Sequence, residues 1–231
     1  MKKTLLLLLL TLSVYSVSAQ MNDEFNYTIA VKAFSVRQMP KILSQKNAER
    51  FSNSWFKGGI LKFNDNQFSY RINGNYIKTG IRLINDCADC EEANGTVTDY
   101  VFKLGFEKNL SFSRFQPYFG FDMGYRLNKF DGQLMSTNPL IDAQAREVSA
   151  DAVEATKSGL LLSPLLGFKI NPVSMVSVFA ESNIDFFIFH EKQETVSRDV
   201  NNTKTVNNYR KSEFLLNPVT IGIQIHLGNN R

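Results

Sequence analysis

The 231-residue sequence predicts an all-β protein, an eight-stranded antiparallel up-and-down transmembrane β-barrel. Three observations carry the prediction. Very short and long polar connections alternate strictly along the chain. The segments between them count to eight. Several of these segments alternate apolar and polar residues with a period of two. Tight turns at one end and longer loops at the other are the asymmetry of an outer-membrane barrel, and an even count puts both termini on the short-turn side.

Composition narrows the class. With 43% hydrophobic and 21% charged residues the chain is an ordinary folding sequence rather than a disordered one. The one long apolar run is N-terminal, which excludes a bundle of transmembrane helices. Residues 1–19 read as a cleaved secretory signal peptide: Lys2 and Lys3, an apolar stretch opening at Leu5–Leu10, and Val17-Ser18-Ala19 before Gln20. No cysteine follows it closely, which argues against a lipoprotein. Residues 20–231 form the barrel domain. Without Lys2 and Lys3 the balance is 24 basic to 22 acidic residues, so there is no basic stripe for nucleic acid.

The short connections are Asp65-Asn66, Lys108–Ser113 and Asn171–Ser174. The long ones are Gln38–Ser54, Leu83–Val97, Asp131–Ala155 and Glu191–Asn208. Strands are expected at Phe25–Val36, Trp55–Asn64, Gln67–Gly80, Thr98–Lys108, Arg114–Phe130, Thr156–Ile170, Met175–His190 and Tyr209–Leu227. The first two have the weakest pattern. In the fifth, Phe119, Phe121, Met123 and Tyr125 oppose Tyr118, Gly120, Asp122 and Gly124. In the last, Ile221, Ile223 and Ile225 oppose Gly222, Gln224 and His226. Ala143–Ala155 has helix-forming composition and is expected to hold a short helix.

Alternation alone does not say which face is outside. The apolar face carries Phe, Tyr, Ile and Leu too bulky for an eight-stranded interior, so it should meet lipid. The polar face is rich in Gly and Asn and carries charges of both signs. Lys62, Arg71, Lys103, Arg126 and Lys169 stand against Glu107, Asp122, Glu181 and Asp185. Such a set is expected to pair inside the lumen, where an unpaired charge is costly. Arg126 and Lys169 are the expected partners of Glu181 and Asp185.

Residues 116–125, reading Gln-Pro-Tyr-Phe-Gly-Phe-Asp-Met-Gly-Tyr, resemble the turn-to-strand signature of the small outer membrane protein beta-barrel domain family of Bacteroidota-type bacteria. Gly105-Phe106-Glu107 before it, and Val178-Phe179-Ala180-Glu181 after Asn171-Pro172, are similar too. The resemblance runs from about Trp55 onward and implies a porin-like or OmpA/OmpX-like fold without catalytic residues. Members commonly end the last strand on an aromatic residue that aids insertion. Here it ends His226-Leu227.

Other motifs bear on chemistry. Cys87-Ala88-Asp89-Cys90, in an exported chain, is expected to form a local loop disulfide. A metal site with Asp86, Asp89, Glu91 and Glu92 is the weaker reading. His190-Glu191 lacks a serine two residues on, as a lipid hydrolase would place it on the same face, and His226 reads as a rim residue. Glu181 and Asp185 have the spacing of paired catalytic carboxylates, but ion pairing is simpler. No phosphate-binding loop, dinucleotide fingerprint or nucleophile elbow occurs.

The expectation is therefore a non-enzymatic outer-membrane barrel with no cofactor and no metal. Its role would be structural, adhesive or the limited passage of small solutes. Its partners would be outer-membrane lipid and the barrel-insertion machinery, and the sequence names no partner for the external loops. The competing class is a secreted or periplasmic soluble barrel that binds an apolar ligand.

Overall fold

A chain whose side chains alternate in polarity can sort them to two faces only as a strand, and in a membrane the strands must close so that no backbone edge is left unpaired. The computed structural model describes residues 25–43, 51–65, 67–83, 91–111, 113–136, 151–197 and 203–229. These form eight strands: β1 Phe25–Gln38, β2 Phe51–Asp65, β3 Phe68–Leu83, β4 Glu91–Asn109, β5 Phe115–Ser136, β6 Asp151–Val173, β7 Val176–Val196 and β8 Lys204–Asn229. Each pairs antiparallel with its sequence neighbour, and β1 closes the ring on β8 from Phe25↔Asn229 to Val36↔Val219. Residues 1–19 and Cys87 and Cys90 lie outside the described residues, so the leader and the loop disulfide remain sequence readings.

The outer surface decides which way the barrel faces. Phe214 is 72% exposed, Leu166 68% and Met123 58%. Ile223 is half exposed while its neighbour Gln224 is fully buried. Soluble monomers do not display apolar surface on that scale, whereas a lipid-facing wall does. The band has the height of a bilayer core. On β4 the outward residues Tyr100, Phe102, Leu104 and Phe106 lie between polar Thr98 and Lys108. Ten residues in a strand tilted by about 40° rise about 26 Å, against a lipid-facing band of about 25 Å in such barrels.

The strands run further than the sequence suggests. Residues 51–54, 91–97, 131–136, 151–155, 191–196 and 204–208 were expected in loops and are strand. Above the membrane both faces of a hairpin tolerate polar residues, so the ladder continues where alternation fades. The helix expected over Ala143–Ala155 is overturned for residues 151–155, which pair with β5 and β7. The rest of that span lies outside the described residues. Within 151–155, Val153 and Ala155 turn inward onto Phe130, and tertiary packing overrides helix propensity.

One seam is incomplete. β2 and β3 pair only from Asp65↔Phe68 up to Gly58↔Asn75. Above that rung β2 follows β1, from Trp55↔Phe34 to Phe51↔Gln38, and β3 follows β4, from Tyr76↔Tyr100 to Leu83↔Ala93. Phe56, in the β2 bulge just above the rung, has φ of +51°. That value is a steric outlier for a bulky residue, so the divergence is held at some backbone cost.

Candidate functional site

The barrel interior is layered. At its lower end His226 hydrogen-bonds Thr28 Oγ1 through Nδ1 at 2.9 Å and Ser177 Oγ through Nε2 at 2.5 Å, and Asn64 Nδ2 donates to Thr28 Oγ1 at 2.9 Å. His226 is thus a packed rim residue on the lumen side.

Above this lies the charged layer. Arg71 Nη1 is 3.0 Å from Glu181 Oε2 and 3.1 Å from Glu107 Oε2, and its Nε is 3.3 Å from Asp122 Oδ1. Glu107 also receives Lys62 Nζ at 2.9 Å and Lys169 Nζ at 2.5 Å. The Tyr118 hydroxyl donates to Glu181 at 3.2 Å. A little higher, Lys103 Nζ lies 2.6 Å from Asp185 Oδ1, which also accepts from Ser163 Oγ at 2.5 Å. Gly105 makes room for this layer, since a Cβ there would collide with Asp122 Oδ1.

All eight residues named from the sequence as a lumen network, namely Arg71, Lys103, Glu107, Asp122, Arg126, Lys169, Glu181 and Asp185, are buried on the inner face. The pairing differs from the expected one. Glu181 meets Arg71 and Asp185 meets Lys103, rather than Arg126 and Lys169. β3 and β7 are four strands apart in a ring of eight, so Arg71 and Glu181 reach each other from opposite walls. Position along the strands does not reveal contacts across the lumen.

Arg126 instead grips Asp99 with two hydrogen bonds, Nε to Oδ1 at 2.7 Å and Nη2 to Oδ2 at 3.1 Å. Asn128 adds a third at 3.1 Å, and Arg37 stands 3.8 Å away. Asp99, Arg37, Lys32 and Lys157 are buried charges missed in the sequence. Asp99 adjoins residues 83–97, whose polar pattern reads as loop, and Lys32 and Arg37 lie on the weakly patterned first strand. Among the described residues eight buried cations face six buried carboxylates, so the interior is nearly neutralised and slightly positive.

The mouth is apolar. After β1, Met39 and Ile42 cross the opening and bury against Ala93, Val97, Phe130, Val153 and Ala155, with Leu43, Ile81 and Leu134 around them. The Lys41 backbone N–H donates to Glu213 Oε2 at 3.1 Å, tying this segment to β8. The sequence reading placed these residues in a polar connection. The apolar Met39, Ile42 and Leu43 within it were the available signal. Ile81 stands on the stretch of β3 that has lost its β2 partner, so the apolar mouth abuts the open seam. At the foot of that seam a groove of about 420 Å³ on the outer wall is lined by Lys57, Gly74, Tyr76, Tyr100 and Phe102.

The hydrolase reading of His190 gains a neighbour but no contact. Ser158 stands opposite His190 in the register, across the strands rather than along one. Among the described residues no hydrogen bond joins them. The outward carboxylates lining the same groove, Glu154 and Glu194, are held by Lys129 and by Lys192 and Lys204. Among the described residues, the chain of nucleophile, base and orienting acid that hydrolysis needs is not assembled around His190.

A closed ring with a lipid-facing wall, short turns at one end and tall hairpins at the other defines a membrane-spanning eight-stranded β-barrel. Its fold is that of a small outer-membrane protein. The structure is similar to the crystal structure of the outer membrane protein OprG from Pseudomonas aeruginosa, with a TM-score of 0.57 and 12% identity over 90% of this chain and 100% of that one. A major outer membrane protein from Thermus thermophilus gives a TM-score of 0.48 at 12% identity over 87% and 99% of the two chains. Outer Membrane Protein W of E. coli gives 0.34 at 12% identity over 90% and 100%. The likeness in fold rests on the first. No family model and no curated protein matches the sequence.

Proposed function

We propose that this is an outer-membrane barrel, exported by its N-terminal leader, that passes small apolar solutes from its mouth sideways into the bilayer. The observation that carries the reading is the open β2–β3 seam beside an apolar mouth. Beneath the mouth, buried ion pairs fill the lumen from Asp99 down to Glu107. A hydrated solute has no clear path down the axis. An apolar molecule that displaces Met39 and Ile42 meets an apolar surface and a side exit at the aromatic edge of the membrane. The barrel works without covalent chemistry or a cofactor, and its partners are membrane lipid and the machinery that inserts it.

Cross-linking the seam tests this. Lys57→Cys and Tyr76→Cys, in a chain with Cys87→Ser and Cys90→Ser, place thiols one rung above Gly58↔Asn75. Oxidation should cut protein-dependent transfer of diphenylhexatriene into proteoliposome membranes at least tenfold, and reduction should restore it. Equal transfer by the oxidised and reduced forms would defeat the sideways route.

A further inference from the structure

The outer wall of β6, β7 and β8 carries a second feature, independent of the seam. Just above the lipid band, Ser158, His190 and Arg210 form one outward row across the three strands. Thr156, Lys192 and Asn208 form the row above it. Below, Leu160 and Ile188 begin the apolar wall, followed by Leu162, Phe186 and Phe214. These two polar rows line a groove of about 620 Å³.

The groove also contains three carboxylates, and all are committed. Glu154 is held by Lys129 at 2.8 Å, and Glu191 turns inward to Lys157 at 3.7 Å. Glu194 is held by Lys192 and by Lys204 at 2.8 Å. Hydrogen bonds from Lys192 and then Lys204 bring the Glu194 carboxyl down to about 2, so it stays ionised and paired. What remains is a set of donors. Arg210 and His190 are exposed and have no partner among the described residues, and the Ser158 and Thr156 hydroxyls and the Asn208 amide lie beside them.

We propose that this groove binds the phosphate of a phosphorylated lipid in the leaflet on the long-hairpin side. A guanidinium matches two phosphate oxygens with parallel hydrogen bonds, and neutral hydroxyl and amide donors complete the shell. The apolar rows directly below favour a lipid over a free anion. Acyl chains continuing from a phosphate held at Arg210 would lie along Leu160, Ile188 and Phe214.

The test is native mass spectrometry of the detergent-solubilised full chain, titrated with dioleoyl phosphatidic acid or dioleoyl phosphatidylcholine. Phosphatidic acid should bind as one retained lipid, at least fivefold tighter than phosphatidylcholine, and millimolar inorganic phosphate should not displace it. Arg210→Gln should lower the phosphatidic acid affinity about tenfold or more, since it removes a direct charge-assisted, two-point contact with the phosphate rather than a distant attraction. His190→Ala should lower it less. Lys78→Gln removes an outward charge on β3, away from the groove, and should change it less than twofold. Equal losses from Arg210→Gln and Lys78→Gln would mean diffuse attraction and overturn the site. Displacement by inorganic phosphate would overturn the lipid assignment. Binding that requires added calcium and survives Arg210→Gln would assign the groove to the carboxylates instead. Heat-modifiable gel mobility checks that each variant is folded.

Discussion

Arg71 is the most heavily engaged charge in the barrel, and its replacement by Met probes the interior most directly. The guanidinium lies 3.0–3.3 Å from Glu181, Glu107 and Asp122 and is fully buried. At an effective dielectric of about 20, each contact is worth about 5 kcal/mol before desolvation is counted. Desolvating the guanidinium opposes this by several kcal/mol, and removing one partner of a buried pair typically costs about 3–5 kcal/mol because the other charge is left behind. Lys62 and Lys169 still serve Glu107. Among the described residues, Asp122 and Glu181 lose their one salt-bridge partner. Arg71→Met should therefore cost about 3–5 kcal/mol, and Met keeps the volume so that no large cavity confuses the result. The assay is urea unfolding from lipid vesicles followed by the fluorescence of Trp55, the single tryptophan, which faces lipid. Adding Glu181→Gln should return about 1–3 kcal/mol, since the two sites are coupled. A loss below about 1 kcal/mol, or strictly additive effects in the double variant, would refute the network as a structural element.

Three further outcomes are expected. A spin label at Ile223→Cys, with Cys87 and Cys90 changed to Ser, should relax strongly with oxygen and weakly with a water-soluble nickel reagent. A label at Gln224→Cys should meet neither, because that position is buried beside Lys62, so free nickel access at 224 would mean an open lumen. Conductance in planar bilayers should be small, with any leak favouring anions because buried cations outnumber carboxylates. Large porin-like steps or a cation-selective leak would contradict the filled interior. The Glu194 carboxyl, outside the membrane, should titrate near 2 rather than near 4.5. Its folded value is depressed, so the Lys192–Glu194–Lys204 pairing should persist at neutral and mildly acid pH and fail only as pH falls toward 2. A carbon-13 titration midpoint above 4 would show that these pairs are not held in solution.

The number of strands, their neighbours and the lipid-facing side were legible in the sequence because each depends on local information. Ile223 and Gln224 point to opposite faces whatever the rest of the chain does, since successive side chains on a strand must. Short turns such as Asp65-Asn66 force antiparallel neighbours, and bulky residues on one face of an eight-stranded ring must lie outside it. Buried charges on the polar face were also readable, because Arg71, Glu107 and Glu181 share the inward parity of their strands.

What only the tertiary structure decided depends on height and distance across the ring. Arg71 meets Glu181 from the opposite wall, and the stagger between those walls is a sum over four strand registers that no single segment encodes. Met39 and Ile42 fill the mouth because β4, β5 and β6 bring Val97, Phe130 and Val153 to the same level. The β2–β3 seam opens because β2 follows β1 above Gly58 while β3 follows β4, a competition between partners that alternation does not register. The donors Ser158, His190 and Arg210 are far apart in sequence and form a row only through the pairing of three strands. Local periodicity sorts side chains to faces, but contacts between faces and rows across strands exist only once the ring has closed.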